Sequence, residues 1–566
     1  MLNIGKVVRG REDYCLDRVA DSQEEYTGAG EAPGYWLGRA VGELGVGGQV
    51  SEEGLHRVLN GAHPQTAARL GAPPRRARVL AYDLTFRAPK SVSLLYGLGE
   101  ATVCGQVRAA HEQAVAAAVG YLERHAAVVA RGHARQRQEP ARGVVAAAFQ
   151  HRTSRAGDPL LHTHVLVANL AQGPDGRWTA LGGRALWRHA RTAGYLYQAG
   201  LRWELGRRLG VAWGPVRHGT ADLDGVPRGV VEAFSQRRQQ IRRRLAELGH
   251  HSARAAQAAT LATRPAKPVG VTAGTLRCRW QQQAAALGLG GRDLVGLLGK
   301  GRPQPLTGPD VERLGALLAS ADGLTRQAST FTRRDVVQAV CDQLPGGAGV
   351  EDVGRLADAF LGNQQVVCQL TPQQPAGAAD SARFSTHELL GIEARVVAAG
   401  ARRRHDGAGV VAPAAVSGAL AAHAATEGLR ATLGLRARHL EADQVALVER
   451  LVGSGHGIEL VNAKAGAGKT FALRVARLAW ERGGYRVVGA ALAAQAARQL
   501  TDEAGIDSRT IARQLWELED PRAPGFHPKT VLVIDEASMV GTRQLERLLW
   551  HAERAAAKVV LVGDAR

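Results

Sequence analysis

The sequence predicts three parts: a mixed α+β unit over residues 1–265, a helical region over 266–435, and an α/β unit with a parallel sheet over 436–566. In the first part, β-type runs and helical stretches are mixed, whereas in the second, helical stretches are separated by breaks rich in Pro, Gly and Gln. In the third part, apolar strands alternate with helices, which is typical of a parallel sheet. A length of 566 residues allows about three or four domains, each with its own core.

Positive charge dominates the composition. The chain has 72 Lys and Arg against 52 Asp and Glu, a formal net charge of +20, which indicates a polyanionic partner, with nucleic acid ahead of a membrane surface. The N-terminus lacks the apolar stretch of a signal peptide, and the least charged segment, 407–426, is rich in Ala and Gly. We therefore expect a cytoplasmic protein without membrane insertion. Five scattered cysteines indicate neither a disulfide framework nor a cysteine zinc site.

Two histidines stand in the apolar, β-branched run LHTHVLVAN, residues 161–169, which predicts a buried strand. Alternation along a strand sends His162 and His164 to the same face. An upstream β-type run ends in His151, and an antiparallel hairpin would bring this residue beside the pair. Three imidazoles without a nearby cysteine are typical of a catalytic metal site with open positions. Hydrogen-bonded sheet histidines are the alternative that these residues leave open.

A second predicted strand carries a carboxylate. The run RVLAYDLTFRAPKSVSLLY alternates apolar residues on one face with Asp83 and Thr85 on the other, and a helix opens near Ser91. A carboxylate held on a strand can orient a metal-ligating histidine or accept a proton from a phenol, whose ordinary pKa of about 10 requires assistance at neutral pH. Phenols are available near the start of the chain, where Tyr14 and Tyr26 lie among acidic and polar residues.

A strongly basic helical stretch, FSQRRQQIRRRLAELG, ends the first part. It is either a solvated helix face or a helix that faces phosphates.

A predicted phosphate-binding loop begins the third part. The segment NAKAGAGKT follows an apolar strand and precedes a helix, the order that such a loop requires. Its backbone amides would surround the phosphates, its lysine would neutralise them, and its threonine would offer a hydroxyl to Mg²⁺. The residues are Gly466, Ala467, Gly468, Lys469 and Thr470. Ala463 departs from the pattern, which has a glycine there, and a glycine turn that binds nothing is the alternative.

Further motifs make the third part similar to the RecD-like superfamily 1 helicases. A buried strand in TVLVIDEAS delivers Asp535 to Mg²⁺ and Glu536 to a position suited to polarising the attacking water. Gln444 matches the adenine-contacting glutamine of that family, and SRTIARQLW matches a DNA-contacting element. The resemblance implies ATP and Mg²⁺ in a RecA-like P-loop lobe. It also implies a second lobe, for which these 566 residues leave no room, so we expect no DNA unwinding by them alone.

The first part resembles the relaxases of conjugative plasmids, the MobF class of the HUH endonucleases. The similarity rests on the N-terminal tyrosine region, YDLTFRAPKSVSLL, HRTSRAGDPLLHTHVLVANL and AFSQRRQQIRRRL, in the order of that family. It implies an antiparallel sheet with flanking helices, the HUH-type palm. It further implies Tyr14 as the nucleophile, Tyr26 as a second candidate ranked below it, and Asp83 as the activating acidic residue. The implied ligands of Mg²⁺ or Mn²⁺ are His151, His162 and His164.

The relaxase resemblance implies a reaction on single-stranded DNA at a plasmid transfer origin. The Tyr14 oxygen would attack the scissile phosphate, a 5′-phosphotyrosine bond would form, and a 3′-hydroxyl would leave. Relaxosome accessory proteins and the conjugative secretion and coupling proteins are the implied partners. Two alternatives stay open: an ATP-dependent DNA motor whose first half only binds DNA, and a catalytically inactive remnant that binds origin DNA.

Overall fold

The structure, a computed structural model, describes residues 2–8, 34–71, 79–131, 137–154, 156–247, 273–370, 382–435, 439–462 and 468–563. The chain forms two compact units. The first comprises residues 1–324 and 330–384, and the second comprises 325–329 and 385–566. The helices between residues 273 and 384 thus belong to the first unit, and the later helices belong to the second. The predicted division into three domains stays a prediction.

The strands are numbered in chain order. They are β1 Leu2–Val8, β2 Tyr35–Leu37, β3 Val79–Arg87, β4 Val128–Arg131, β5 Arg137–Pro140, β6 Ala146–Thr153, β7 Pro159–Ala168, β8 Ala171–Gln172, β9 Trp178–Thr179, β10 Val367–Gln369, β11 Phe384–Thr386, β12 Ile458–Asn462, β13 Arg486–Ala491, β14 Asp507–Thr510, β15 Thr530–Ile534 and β16 Lys558–Gly563.

The helices are numbered in the same way. They are α1 Arg39–Glu43, α2 Glu52–Leu59, α3 Lys90–Leu98, α4 Ala101–His125, α5 Gly183–Leu209, α6 Arg228–Ala233, α7 Gln236–Glu247, α8 Ala273–Ala286, α9 Gly291–Gly296, α10 Gly308–Ala319, α11 Arg333–Gln343, α12 Val350–Gly362, α13 His387–Arg402, α14 Pro413–Thr432, α15 Ala442–Gly453, α16 Lys469–Arg482, α17 Ala494–Ala504, α18 Ile511–Glu519 and α19 Thr542–Arg554. Within the described part of the chain, no helix combines the length and the apolarity that a bilayer crossing requires.

A five-stranded antiparallel sheet in the order β1-β3-β7-β6-β2 forms the centre of the first unit. On one face, alternate residues of β7 such as Leu161 and Val165 are fully buried against α4 and α5. On the other face, α2 packs Leu55 and Leu59 over part of the sheet. The predicted antiparallel sheet with flanking helices is confirmed, and so is the alternation predicted for β7.

The second unit contains a parallel sheet in the order β12-β16-β15-β13-β14. Every residue of β15 is buried, as expected for a strand covered on both faces. Helices α14 to α17 pack on one face, and α18 and α19 pack on the other. The parallel α/β sheet predicted for the third part is therefore confirmed.

A fully buried arginine connects the first unit's sheet region to helices much later in the chain. Arg202 on α5 is 0% exposed. Its guanidinium donates hydrogen bonds to the carbonyl oxygens of Gly219 at 2.8 Å, Cys341 at 2.8 Å and Leu344 at 3.2 Å. Helix α11, which ends beside two of these carbonyls, begins with a capping box in which Asp335 accepts the Thr332 N–H at 2.8 Å. These contacts place the C-terminal end of α11 in the core of the first unit.

Substitution Arg202→Met should destabilise the first unit by about 3 kcal/mol, because it leaves buried carbonyls without donors. The measurement is hydrogen exchange of α5 in the full chain as a function of urea. Arg207→Met is the matched control on the same helix, since the Arg207 side chain is 55% exposed and pairs with Glu204; its effect should be within about 0.5 kcal/mol. Equal effects of the two substitutions would contradict the assigned role of Arg202.

Candidate active site

Three imidazole rings meet on the partly covered face of the first unit's sheet. His151 on β6 pairs directly with His162 on β7, and His164 follows two residues later on the same face. The ring centres are 5.2 Å apart for His151 and His162, 5.2 Å for His151 and His164, and 5.3 Å for His162 and His164. The hairpin predicted from the sequence therefore brings the three histidines together.

The spacing of these rings fits one cation. Three imidazoles placed tetrahedrally around an ion, with nitrogen–metal distances of about 2.1 Å, have ring centres about 5 Å apart. As they stand, no group of three or more His, Cys, Asp and Glu side chains among the described residues is arranged to hold a metal ion. The ring centres nevertheless have the spacing that a shared cation requires, and rotation about each Cβ–Cγ bond turns the nitrogens while the ring centre stays almost fixed.

Hydrogen bonds define which nitrogen two of the imidazoles present. Nδ1 of His164 lies 2.8 and 3.0 Å from the two carboxylate oxygens of Asp83, and 3.3 Å from the hydroxyl of Thr85. Nδ1 of His162 lies 2.9 Å from the carbonyl oxygen of Leu160. A carboxylate and a carbonyl only accept, so each Nδ1 carries the hydrogen and donates it, which leaves Nε2 as the nitrogen with the lone pair in the neutral form of each ring. This is the tautomer in which a histidine binds a metal through Nε2.

The local electrostatics keep His162 neutral. Desolvation, followed by the neighbouring imidazoles of His151 and His164, lowers the pKa of His162 well below its ordinary value. A ring with so low a pKa carries no proton on Nε2 at pH 7, and metal binding requires this deprotonated form.

The predicted nucleophiles lie outside the described residues. Tyr14 and Tyr26 fall within residues 9–33, between β1 and β2. Their assignments stay predictions. Asp83, by contrast, is described, and it contacts His164 as the sequence analysis allowed.

The second unit brings together part of the predicted nucleotide site. Gly468 adopts a left-handed conformation, φ 73°, immediately before α16, and Lys469 and Thr470 begin this helix. Asp535 and Glu536 follow β15 directly. Because β12 and β15 run parallel in one sheet, the loop after β12 and the residues after β15 lie at the same edge. Gly466 and Ala467 fall within 463–467, outside the described residues.

Gln444, predicted to contact adenine, lies against the described end of this loop. A methyl group on Gly468 would lie 2.3 Å from Nε2 of Gln444, so only glycine permits so close an approach. The Gln444 side-chain oxygen accepts the backbone N–H of Glu441 at 3.1 Å and caps α15. The two residues, 24 positions apart in the sequence, therefore meet.

The basic helix α7 begins beside the histidine hairpin. None of its residues is buried, and the N–H of Gln236 donates to the carboxylate of Asp158 at 3.0 Å. Asp158 belongs to the loop that joins β6 to β7. The arginines of this exposed helix are Arg237, Arg238, Arg242, Arg243 and Arg244.

Sequence reasoning missed His111. This residue of α4 is 0% exposed, and its Nε2 lies 2.7 Å from the hydroxyl of Thr163, the residue between the two histidines of β7. The sequence did contain one indication of a buried histidine, because His111 stands in the apolar stripe of α4 that includes Val107 and Ala114.

Comparisons with known proteins match two separate parts of the chain. Residues 8–287 match the family model of the TrwC relaxase, and residues 439–566 match that of an AAA domain. The conjugal transfer protein TraA of Rhizobium radiobacter is 35% identical over 247 residues, which are 43% of this chain and 20% of that protein. The multifunctional conjugation protein TraI of Escherichia coli is 32% identical over 368 residues, 61% of this chain and 20% of that protein. The matches thus span about one fifth of these relatives.

Among solved structures, the conjugative relaxase TrwC in complex with oriT DNA and copper is 30% identical, with a TM-score of 0.46, over 51% of this chain and 99% of that one. A metal-bound TrwC complex with oriT DNA is 31% identical, with the same TM-score and coverage. The predicted resemblance to the MobF relaxases is confirmed by the family model and the curated relatives: residues 8–287 are similar to the TrwC relaxase family, and residues 439–566 are similar to an AAA domain.

Proposed function

We propose that the first unit nicks and rejoins one DNA strand at a plasmid transfer origin by tyrosine transesterification. The observation that carries this proposal is the cluster of three imidazoles on β6 and β7, with the Asp83 carboxylate bonded to one of them. The similarity to TrwC, TraA and TraI supports it.

In the proposed reaction, the phenolic oxygen of Tyr14 attacks the scissile phosphorus. The new oxygen–phosphorus bond gives a 5′-phosphotyrosine, the bond to the 3′ oxygen breaks, and the phenolic proton passes to a base while the 3′ oxygen takes up a proton. His151, His162 and His164 would hold Mg²⁺ or Mn²⁺, which when bound supplies Lewis acidity to the non-bridging phosphate oxygens. One phosphodiester replaces another, so rejoining requires no ATP. Tyr26 is the proposed second nucleophile.

We assign Asp83 a role through His164. Both of its carboxylate oxygens lie within 3.0 Å of His164 Nδ1, so the carboxylate is engaged with the imidazole. Held in this way, His164 presents Nε2 as an electron-pair donor and becomes a stronger ligand. Activation by Asp83 would then come from orienting the ligand.

The exposed arginines of α7, beside the β6–β7 loop, suit the phosphates of the single-stranded DNA substrate. Plasmid DNA implies a cytoplasmic location, and the relaxosome and secretion proteins are the proposed protein partners.

For the second unit we propose ATP and Mg²⁺ binding at the edge formed by Gly468, Lys469, Thr470 and Asp535. The nucleotide's base would lie towards Gln444, which contacts Gly468. The loop amides and the N-terminus of α16 would bind the phosphates, and Asp535 would hold Mg²⁺. Glu536 would polarise the attacking water.

The full chain mixed with single-stranded DNA of its plasmid's transfer origin, or with a randomised pool, should form a denaturant-stable protein–DNA adduct in the presence of Mg²⁺ or Mn²⁺. Tyr14→Phe and a chelator should each abolish it, whereas Tyr26→Phe should retain first-strand cleavage. The measurement is denaturing electrophoresis with labelled DNA. DNA binding without any adduct would favour the inactive remnant over the relaxase.

Asp83→Asn should weaken Mn²⁺ binding by about 10- to 100-fold, because a neutral amide no longer fixes the tautomer of His164 or increases its basicity. Titration followed by the electron paramagnetic resonance of free Mn²⁺ measures the effect. Asp175→Asn is the matched control in the same unit, since Asp175 pairs with Arg131 away from the histidines. An unchanged affinity in Asp83→Asn would contradict the role assigned to this carboxylate.

Lys469→Ala should reduce ATP hydrolysis to background, because the phosphates lose their counter-charge, and should leave adduct formation intact. Phosphate release and the adduct assay are measured on the same preparation. Lys529→Ala, an exposed lysine of the same unit, should change neither activity. ATP hydrolysis that persists in Lys469→Ala would count against the proposed nucleotide site, and hydrolysis without any adduct in the unsubstituted chain would favour the motor alternative.

A further inference from the structure

A buried chain of hydrogen bonds lies directly behind the histidines of β7. Thr163 stands between His162 and His164 and points to the opposite face, where it is 0% exposed. Its hydroxyl lies 2.7 Å from Nε2 of His111 on α4, and Nδ1 of His111 lies 2.8 Å from the hydroxyl of Tyr197 on α5. His111 and Tyr197 are also 0% exposed. The chain therefore ties β7 to two helices of the core.

All the polar atoms in this series of hydrogen bonds have partners only if each hydrogen bond runs in a definite direction. Burial lowers the pKa of His111 to about 3, so the ring is neutral and has one donor nitrogen and one acceptor nitrogen. One neighbouring hydroxyl then donates to the ring and the other accepts from it. Each bond requires a heavy-atom distance near 2.7–2.8 Å and a nearly linear geometry. Such requirements are directional, unlike the apolar contacts made on the same face by Leu161 and Val165.

The last residue in this series of hydrogen bonds, Tyr197, also contacts β3, the strand that carries Asp83. The Tyr197 ring packs against Phe86 of β3, with ring centres 5.3 Å apart, and Phe86 is the cross-strand partner of Thr163. The helices thus contact β3 and β7 at the position where the opposite face carries the imidazoles and the carboxylate.

We propose that Thr163 is a positioning residue for the metal centre, and that His111 and Tyr197 act through it. The inference rests on the proposed metal-dependent relaxase function of the first unit. Because His162 and His164 flank Thr163, a rotation of the strand at residue 163 redirects both imidazoles at once. Loss of the Thr163 hydroxyl leaves Nε2 of His111 without its partner in an apolar core, and the strand and helix readjust to reduce that cost.

The test compares variants of the full chain for binding of Mn²⁺ alone, with His162→Ala defining any binding elsewhere. Thr163→Val keeps the side-chain volume and removes the hydroxyl, and it should weaken Mn²⁺ binding by about tenfold or more. Thr163→Ser restores the hydroxyl and should return the affinity to within about twofold of the unsubstituted chain. Tyr197→Phe leaves the Thr163–His111 bond in place and should give an intermediate loss.

Thr192→Val is the matched control for a structural effect. Thr192 lies on α5, is 1% exposed, and accepts a hydrogen bond from Gln338 at 2.9 Å, but this bond does not involve β7. Thr192→Val should lower the urea midpoint of the first unit as Thr163→Val does, and it should leave the Mn²⁺ affinity unchanged.

The outcomes separate this inference from the function on which it rests. Unchanged Mn²⁺ affinity in folded Thr163→Val overturns the inference, and so does an equal loss in Thr192→Val. If Thr163→Val does not fold, unchanged affinity in Tyr197→Phe overturns it. If the unsubstituted chain binds no more Mn²⁺ than His162→Ala does, the proposed metal centre itself fails, and the inference fails with it.

Discussion

The register between β6 and β7 is the constraint on which the rest of the site depends. In this register His151 is opposite His162, and β3 places Thr85 opposite His164, which brings Asp83 within reach of the same imidazole. Side chains alternate with a period of two, so a slip of one residue would send His151 to the apolar face and separate the three rings. The register is fixed by burial, since residues such as Leu161 and Val165 must face the helices.

The two faces of this sheet therefore differ in burial and in the role that we infer for each. One face is closed by α4 and α5 and packs at the density of a core, which leaves little freedom for the strands to move. The other face is closed only in part by α2, which leaves the imidazoles half-buried. A rigid support behind an accessible set of ligands is the arrangement that a catalytic centre requires. Thr163 connects the two faces, because its buried hydroxyl contacts the helices on one face and its two neighbours along β7 are the histidines on the other face.

The features of the site that could be predicted from the sequence are those whose residues lie close together along the chain. Patterns within about ten residues predict the strand alternation, the positions of the three histidines and Asp83 on strands, and the helix after the P-loop. The structure has these residues in the predicted strands and helix, and their roles stay predictions. The contacts of His111 with Thr163 and of Arg202 with Cys341 join residues 52 and 139 positions apart. An apolar stripe indicates which face of a helix is buried, but it does not specify which strand or carbonyl a polar member of that stripe will meet.

The two units would handle phosphate by opposite physical means. Imidazoles carry no permanent charge, so the first unit would depend on the cation that they are proposed to hold and on the accuracy with which they hold it. The second unit would use a lysine and the partial positive charge of a helix N-terminus, which are built into the chain. Transesterification exchanges one phosphodiester for another, and its rate depends on how accurately the nucleophile and the phosphate are positioned. A displacement of about 1 Å at such a centre can cost about 100-fold in rate. Selection for accuracy would account for a carboxylate on one side of β7 and a buried hydrogen-bond chain on the other.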